Sequence, residues 1–302
     1  MVYDETFQIY VPRVGRIRKK VLIIGCPHHP FMNWELFRSI VEEHSDMDEC
    51  IVNGDLMDQY SMSTFVRDRV VAITDEYRQA LEMVDLLSRT FKKVTLTLGN
   101  HDKRFAKRLG SISTSMADSI HRLAHSSAFA PDGVFLIPLS RGIEFDDNGF
   151  EIGNRGFDNV VFEPGPQAWW TQVGKTIVCH PDSRSGSKFM SLVVAWHRDY
   201  FAPRYRDRYD SIILHHTHKG GKLMDKDTLL IEGGCLCDPP DYAVSGKMRL
   251  DAAHLGYVLL YQDSDGNTDF DATRFVFSGI GSEPGDPYLE EVLPVEMEDD
   301  AL

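Results

Sequence analysis

The 302-residue chain has no apolar run long enough to cross a bilayer as a helix, so a helical membrane anchor is not expected. It has no basic excess either. Lys and Arg number 32 against 46 Asp and Glu, for a net charge of −14. Affinity for duplex nucleic acid comes from basic side chains that displace counterions, so long duplexes are poor partners for the chain alone. Cysteine is sparse. Five thiols cannot frame a chain of this length with disulfides, and reduced thiols in a cytoplasm are the expectation. The start, Met1-Val2-Tyr3-Asp4-Glu5, lacks a charged end followed by an apolar core, so no secretory signal is expected. No internal repeat or low-complexity domain is visible. What is present is ordinary: 42% hydrophobic and 26% charged residues, enough for a soluble protein with a sizeable core.

Residues 1–20 read as an arm or edge strand ending in the basic run Arg16 to Lys20. Residues 21–280 read as one domain. Its first part alternates strand and helix. Val21 to Ile24, Cys50 to Val52 and Val94 to Leu98 are strand runs. Between them Asn33 can cap a helix with Trp34, Phe37, Ile40 and Val41 on one face, and Tyr77, Leu81, Val84 and Leu87 share a face of a second. Alternation of this kind predicts parallel crossover units and an α/β fold. The stretch 103–170 reads as an insertion or cap, opening with a helix from Arg104 to His125 and holding a strand signal at Asn159 to Phe162. Strand signals return at Thr176 to Cys179, Ser211 to Leu214, Thr228 to Ile231, Gly256 to Tyr261 and Thr273 to Phe277, with a helix near Ser187 to Tyr200. Residues 281–302 form an acidic tail.

Chemistry concentrates in Cys26-Pro27-His28, Gly54-Asp55-Leu56-Met57-Asp58, Gly99-Asn100-His101-Asp102 and His215-His216-Thr217-His218. Each follows an apolar strand run and places metal-ligand side chains just past the strand's carboxyl end. Dispersed ligands become a site when parallel strands end on one rim, which points to a two-metal hydrolase of phosphate esters. Imidazole, amide and carboxylate donors suit manganese, iron or zinc better than calcium. Asp55 is the candidate to bridge two ions. His101 is the candidate to protonate the leaving oxygen, and Asp58 to hold its tautomer.

These segments resemble the calcineurin-like metallophosphoesterase family, whose pattern runs Asp-x-His, Gly-Asp-x-x-Asp, Gly-Asn-His-Asp/Glu, a later His, and Gly-His-x-His. The resemblance spans Val21 to Gly234. His180 fits the isolated His, and His216 with His218 fits the pair. It implies a calcineurin-like four-layer sandwich: two mixed β-sheets flanked by helices, with the metal site at the strand ends. It also implies one metal on Cys26, His28, Asp55 and His218, and another on Asp55, Asn100, His180 and His216. His101, paired with Asp58, would be the catalytic acid. The chain departs from the pattern at Cys26, where the family has Asp, and at His215 and Pro181, where it has Gly. A thiolate at position 26 favours zinc or iron(II) over manganese. Cys26 and His28, two apart on an extended backbone, are expected to face one way. The other two changes are expected only to reshape the rim.

The expected activity is hydrolysis of a modest-sized phosphodiester, such as a nucleotide or another phosphate-ester small molecule, with two divalent transition-metal ions. A nuclease acting on single-stranded ends is one alternative. A catalytically impaired member that acts as a binding protein is the other. Arg104, His29 and His215 adjoin proposed ligands and are candidate substrate contacts. Cys235 and Cys237 form a lone Cys-x-Cys, a weak signal for a third metal. Trp169 and Trp170 read as packing residues.

Overall fold

Valine, isoleucine and leucine alternate across the strands so that each strand presents apolar side chains to both of its faces, which requires cover on both sides. Lys19–Gly25 (β3) shows the pattern. Its Leu22 and Ile24 pack with Phe37, Ile40, Leu81 and Val84 of two helices. Its Val21 and Ile23 pack with Val178, Ile213 and Ile231 of a second sheet. The computed structural model describes residues 2–4, 9–11, 17–63, 70–111, 135–182, 190–239 and 253–278. Val2–Asp4 (β1) and Ile9–Val11 (β2) pair as a separate antiparallel hairpin.

The first large sheet has six strands. Its parallel centre is β3, Glu49–Asn53 (β4), Lys93–Thr97 (β5) and Val160–Val161 (β8). Two antiparallel strands, Gly256–Gln262 (β14) and Arg274–Phe277 (β15), extend it beyond β3. The second sheet has five strands. Thr176–Cys179 (β10), Ser211–Leu214 (β11) and Thr228–Gly233 (β13) are parallel. Trp170–Val173 (β9) and Gly220–Asp225 (β12) are its antiparallel edges. Between the sheets' sequences lies a small hairpin of Ile143–Phe145 (β6) and Glu151–Asn154 (β7).

Helices cover the outer faces. Trp34–Glu43 (α1) starts where the Asn33 side chain accepts from the Leu36 amide at 3.0 Å, the expected cap. Ile73–Thr90 (α2) buries Tyr77, Leu81, Val84 and Leu87. On the other side, Leu192 and Val193 of a short helix, Ser191–Trp196, and Phe201 beyond it cover Ile177, Ile212 and Leu230. The result is helix, sheet, sheet, helix: the four-layer α/β sandwich the sequence implies. Among the described residues no helix is long and apolar enough to cross a membrane.

The stretch 103–170 does not lie wholly outside this frame, because β8 joins the main sheet beside β5. Its opening helix is described over Arg104–Ser111 (α3). The rest of that predicted helix and the acidic tail lie outside the described residues. Trp169 and Trp170 pack in an aromatic cluster with Trp196, Tyr200, Phe201 and Tyr205, as expected of packing residues.

Asn53, the last residue of β4, is fully buried and joins the two sheets. Its Nδ2 donates to the Cys179 carbonyl at the end of β10 and to His215 Nδ1 after β11, both at 2.9 Å. Its Oδ1 accepts from Thr97 Oγ1 of β5 at 2.8 Å. Asn53→Ala would leave the buried Thr97 hydroxyl and His215 nitrogen without these partners. The expected cost is about 1–3 kcal/mol in urea unfolding of the chelated protein, the range for orphaned buried polar groups.

Candidate metal centre

Six parallel strands end on one rim: β3, β4 and β5 from the first sheet, and β10, β11 and β13 from the second. The loops after β3 and β4 are joined by backbone hydrogen bonds, from Cys26 to Gly54, His28 to Asp55, His29 to Leu56 and Asp58 back to His29, all at 2.9–3.1 Å. Asp102 ties in the loop after β5. Its carboxylate accepts from the amides of Met57 at 3.1 Å and Gly99 at 2.9 Å. A side chain at position 99 would put its Cβ 2.1 Å from the Asp55 backbone nitrogen and carboxylate, so only glycine lets these loops approach.

The structure brings ten of the sequence-predicted residues into one connected cluster. Donor atoms of Cys26, His28 and His218 lie within 4.8 Å of one another, as do those of Cys26, Asp55 and His180, and of His28, Asp55 and His101. Asn100 Oδ1 lies 3.1 Å from His180 Nε2 and 2.7 Å from His216 Nδ1. Asp58 Oδ1 accepts from His101 Nδ1 at 2.7 Å and from His28 Nδ1 at 3.0 Å. Arg104 donates to the Asp58 carbonyl and carboxylate at 2.8 and 2.9 Å and approaches His101 Nε2 at 3.1 Å.

These hydrogen bonds set the tautomers. His28 Nδ1 is committed to Asp58, so Nε2 turns its lone pair on His218 Nε2 at 3.0 Å and Asp55 Oδ2 at 3.5 Å. His180 Nδ1 is committed to the Asn53 carbonyl at 3.0 Å, so Nε2 faces Asp55 Oδ2 and Asn100 Oδ1, both at 3.1 Å. In the neutral forms of His28 and His180 these nitrogens aim acceptors at acceptors in a buried site, which a divalent cation would relieve, and the N, O and S donor set suits a transition metal. The residues present therefore fit the metals that the sequence implies.

In the metal-free site a proton takes that place at His180: burial opposes its charge, but the facing Asp55 outweighs burial and raises its pKa. Burial disfavours charge on Asp55 and Asp58, but facing imidazoles outweigh it and hold both carboxylates well below the ordinary range. His180 acts most on Asp55, and His101 on Asp58. Burial, reinforced by His101, drops His28 to about 3, leaving it a neutral imidazole. Burial and the neighbouring Asp55 push Asp102 up to about 6.

Three expectations need correction. Cys26 and His28 do not lie on extended backbone: their φ angles are +51° and +49°, in the left-handed region. Asp55, His216 and His218 also have positive φ, at +52°, +125° and +57°. Such residues cost of order 1–3 kcal/mol each and cluster at functional sites. His215 does not reach the rim. It is 1% exposed, and its ring fills the gap between Gly25 and Gly233, where added Cβ atoms would come within 2.2 and 2.3 Å of it. His29 is fully buried, with Nε2 3.4 Å from Met83 Sδ and its ring tilted on Trp34. Neither is placed to touch a substrate. Arg104 is, but it already holds Asp58.

Sequence reading missed Asn53, whose signal is a polar residue ending an apolar strand, and the loop-tying role of Asp102. It also did not place Cys235 and Cys237 beside the cluster. Their Sγ atoms lie with a His218 nitrogen in a further group within 4.8 Å.

The family model for calcineurin-like phosphoesterases matches residues 19–220, more than half of the chain. The protein belongs to this family of metal-dependent phosphoesterases. No curated protein matches its sequence. Among solved structures it is similar to a protein from Pyrococcus horikoshii, at 10% identity and a TM-score of 0.45, over 88% of this chain and 90% of that one. It is also similar to an archaeal phosphodiesterase, at 13% identity and a TM-score of 0.40, over 86% and 99%. A third is zinc-complexed Vps29 from Entamoeba histolytica, at 11% identity and a TM-score of 0.35, over 82% and 87%.

Beneath the loop after β4, the buried Glu76 of α2 accepts from the Tyr60 amide at 2.8 Å. Burial, aided by the Asp58 charge, raises its pKa from 4.5 to about 8. Between those values the folded chain keeps a proton that the unfolded chain has lost. Stability from this group therefore falls as pH rises from 4.5 to about 8, and is flat above. Glu76→Gln removes the charge but keeps the shape. Its stability relative to wild type should climb across that interval in urea unfolding of chelated protein, whereas a constant difference would remove Glu76 as the source.

Proposed function

We propose that the chain hydrolyses a phosphodiester of modest size, such as a nucleotide derivative, by attack of water on phosphorus. Two transition-metal ions, manganese, zinc or iron, would be held by the two residue sets that share Asp55. One set is Cys26, His28, Asp55 and His218. The other is Asp55, Asn100, His180 and His216. When bound, such ions lower the pKa of water and polarise phosphoryl oxygens.

The observation that carries this reading is the His101 imidazole, anchored through Nδ1 on Asp58 at 2.7 Å and grouped with the His28 and Asp55 donor atoms. Asp58 accepts the hydrogen bond of Nδ1–H, so in the imidazolium Nε2–H is the group left to give a proton to the leaving oxygen. The same carboxylate orients His28, which couples the acid to one ligand set. Arg104 would exchange His101 Nε2 for a phosphoryl oxygen, which its planar fork matches. A protein that used the fold only for binding would have no need of this arrangement. The net charge of −14 disfavours long duplexes, and a reducing cytoplasm suits the five free, buried thiols.

Chelation should abolish turnover of bis(4-nitrophenyl) phosphate, and manganese, zinc or iron(II) should restore it. Full recovery in magnesium alone would contradict the donor set, because magnesium binds imidazole and amide ligands poorly. His101→Ala should cut kcat by roughly 10²–10⁴-fold, the range for a lost general acid. The loss should be smaller with nitrophenolate than with poorer leaving groups, and elemental analysis should find metal content unchanged. A metal-depleted variant would make His101 a ligand instead.

A further inference from the structure

Two thiols that this reading leaves idle close on the same rim. Cys235 and Cys237 follow β13 through the turn at Gly234 and are 0% and 1% exposed. Their loop is fixed from several sides. Cys235 N donates to the His254 carbonyl at 3.0 Å, and Cys235 O accepts from Gly256 N at 3.1 Å. Asn33 N donates to the Leu236 carbonyl at 2.8 Å, and Asp238 N to that of Phe31 at 2.9 Å. Leu236 N in turn donates to the Cys26 carbonyl at 3.4 Å, so this loop is stitched to the first motif.

Within that frame the two sulfurs and a His218 nitrogen lie within 4.8 Å of one another. Tetrahedral zinc, with Zn–S near 2.3 Å and Zn–N near 2.0 Å, needs donor atoms about 3.5–3.8 Å apart, within reach of small side-chain rotations. The Cys235 thiol already hydrogen-bonds with the side chains of Cys237 and His218. Cys235 Sγ lies 3.8 Å from the carbonyls of Cys237 and His254. Cys26 packs in the same buried cluster, with Phe31 and Tyr60.

We propose that His218, Cys235 and Cys237 bind a thiophilic divalent cation, zinc or iron(II), through one imidazole nitrogen and two thiolates. Each thiol gives its proton to solvent as the metal–sulfur bond forms, and when the other nitrogen of His218 also holds an ion the ring gives up its N–H proton too. Soft sulfur donors select against manganese and magnesium at this position. The site shares His218 with the sets proposed above but needs none of the hydrolytic chemistry.

Cobalt(II) reports thiolate ligation through a near-ultraviolet charge-transfer band. The full-length, reduced, chelated Cys26→Ala protein is titrated with cobalt, so that Cys26 cannot supply the band. Expected is a band in Cys26→Ala that is lost when Cys235→Ser and Cys237→Ser are added, with one fewer metal bound per chain. Zinc-edge X-ray absorption on Cys26→Ala leaves both thiols in place and should show sulfur near 2.3 Å. A Cys26→Ala protein with no band and a shell of nitrogen and oxygen alone would overturn the proposal. Phosphodiester turnover is measured in parallel on the wild-type protein, because Cys26→Ala removes a proposed ligand of the hydrolytic site. A sulfur shell without turnover counts against the hydrolase reading only, and turnover with a sulfur-free shell counts against this site only.

Discussion

The buried amide of Asn53 is the joint on which the site depends. One side chain and its own carbonyl reach β5, β10, His180 and His215, so the ends of two sheets are set against each other at hydrogen-bond distances. Apolar packing between the sheets is non-directional and would tolerate sliding. A satisfied polar network in a low-dielectric interior would not. Because the Asn53 carbonyl holds His180 Nδ1, the same residue that fixes sheet position also decides which nitrogen of His180 faces the cluster.

Above that joint, charge is managed by pairing. Asp55 and Asp58 sit among imidazoles, and Asp102 lies where its proximity to Asp55 is tolerated because backbone amides surround it. Asp58 serves His28, His101 and Arg104 at once. A carboxylate with several donors is ordered far better than one with a single partner. The imidazoles it holds inherit that order, as ligand-supporting residues generally confer.

The layers and the motif positions were legible because the apolar runs are strongly patterned and each motif follows one. Side-chain direction at the motifs was not. Alternation along a strand predicts facing only while the backbone stays extended, and Cys26, His28 and Asp55 leave it in the left-handed region. His29 and His215 misled for a related reason: a neighbour of a ligand points the other way, here into the core. The approach of Cys235 and Cys237 to His218 was not legible, because it arises through the parallel pairing of β13 with β11, a long-range relation that spacing along the chain does not encode.

The left-handed residues also bear on how such a site can be moved or imitated. Glycine would suit those backbone positions best but offers no side chain to the cluster, so each is a compromise between conformation and the side chain it presents. Grafting the same side chains onto ordinary strand ends would aim them along different vectors and scatter the donors. The transferable unit is the set of loops with their hydrogen-bonded seams. A designer, or a lineage diverging from this chain, can exchange a ligand's identity more readily than the curl of the backbone that presents it.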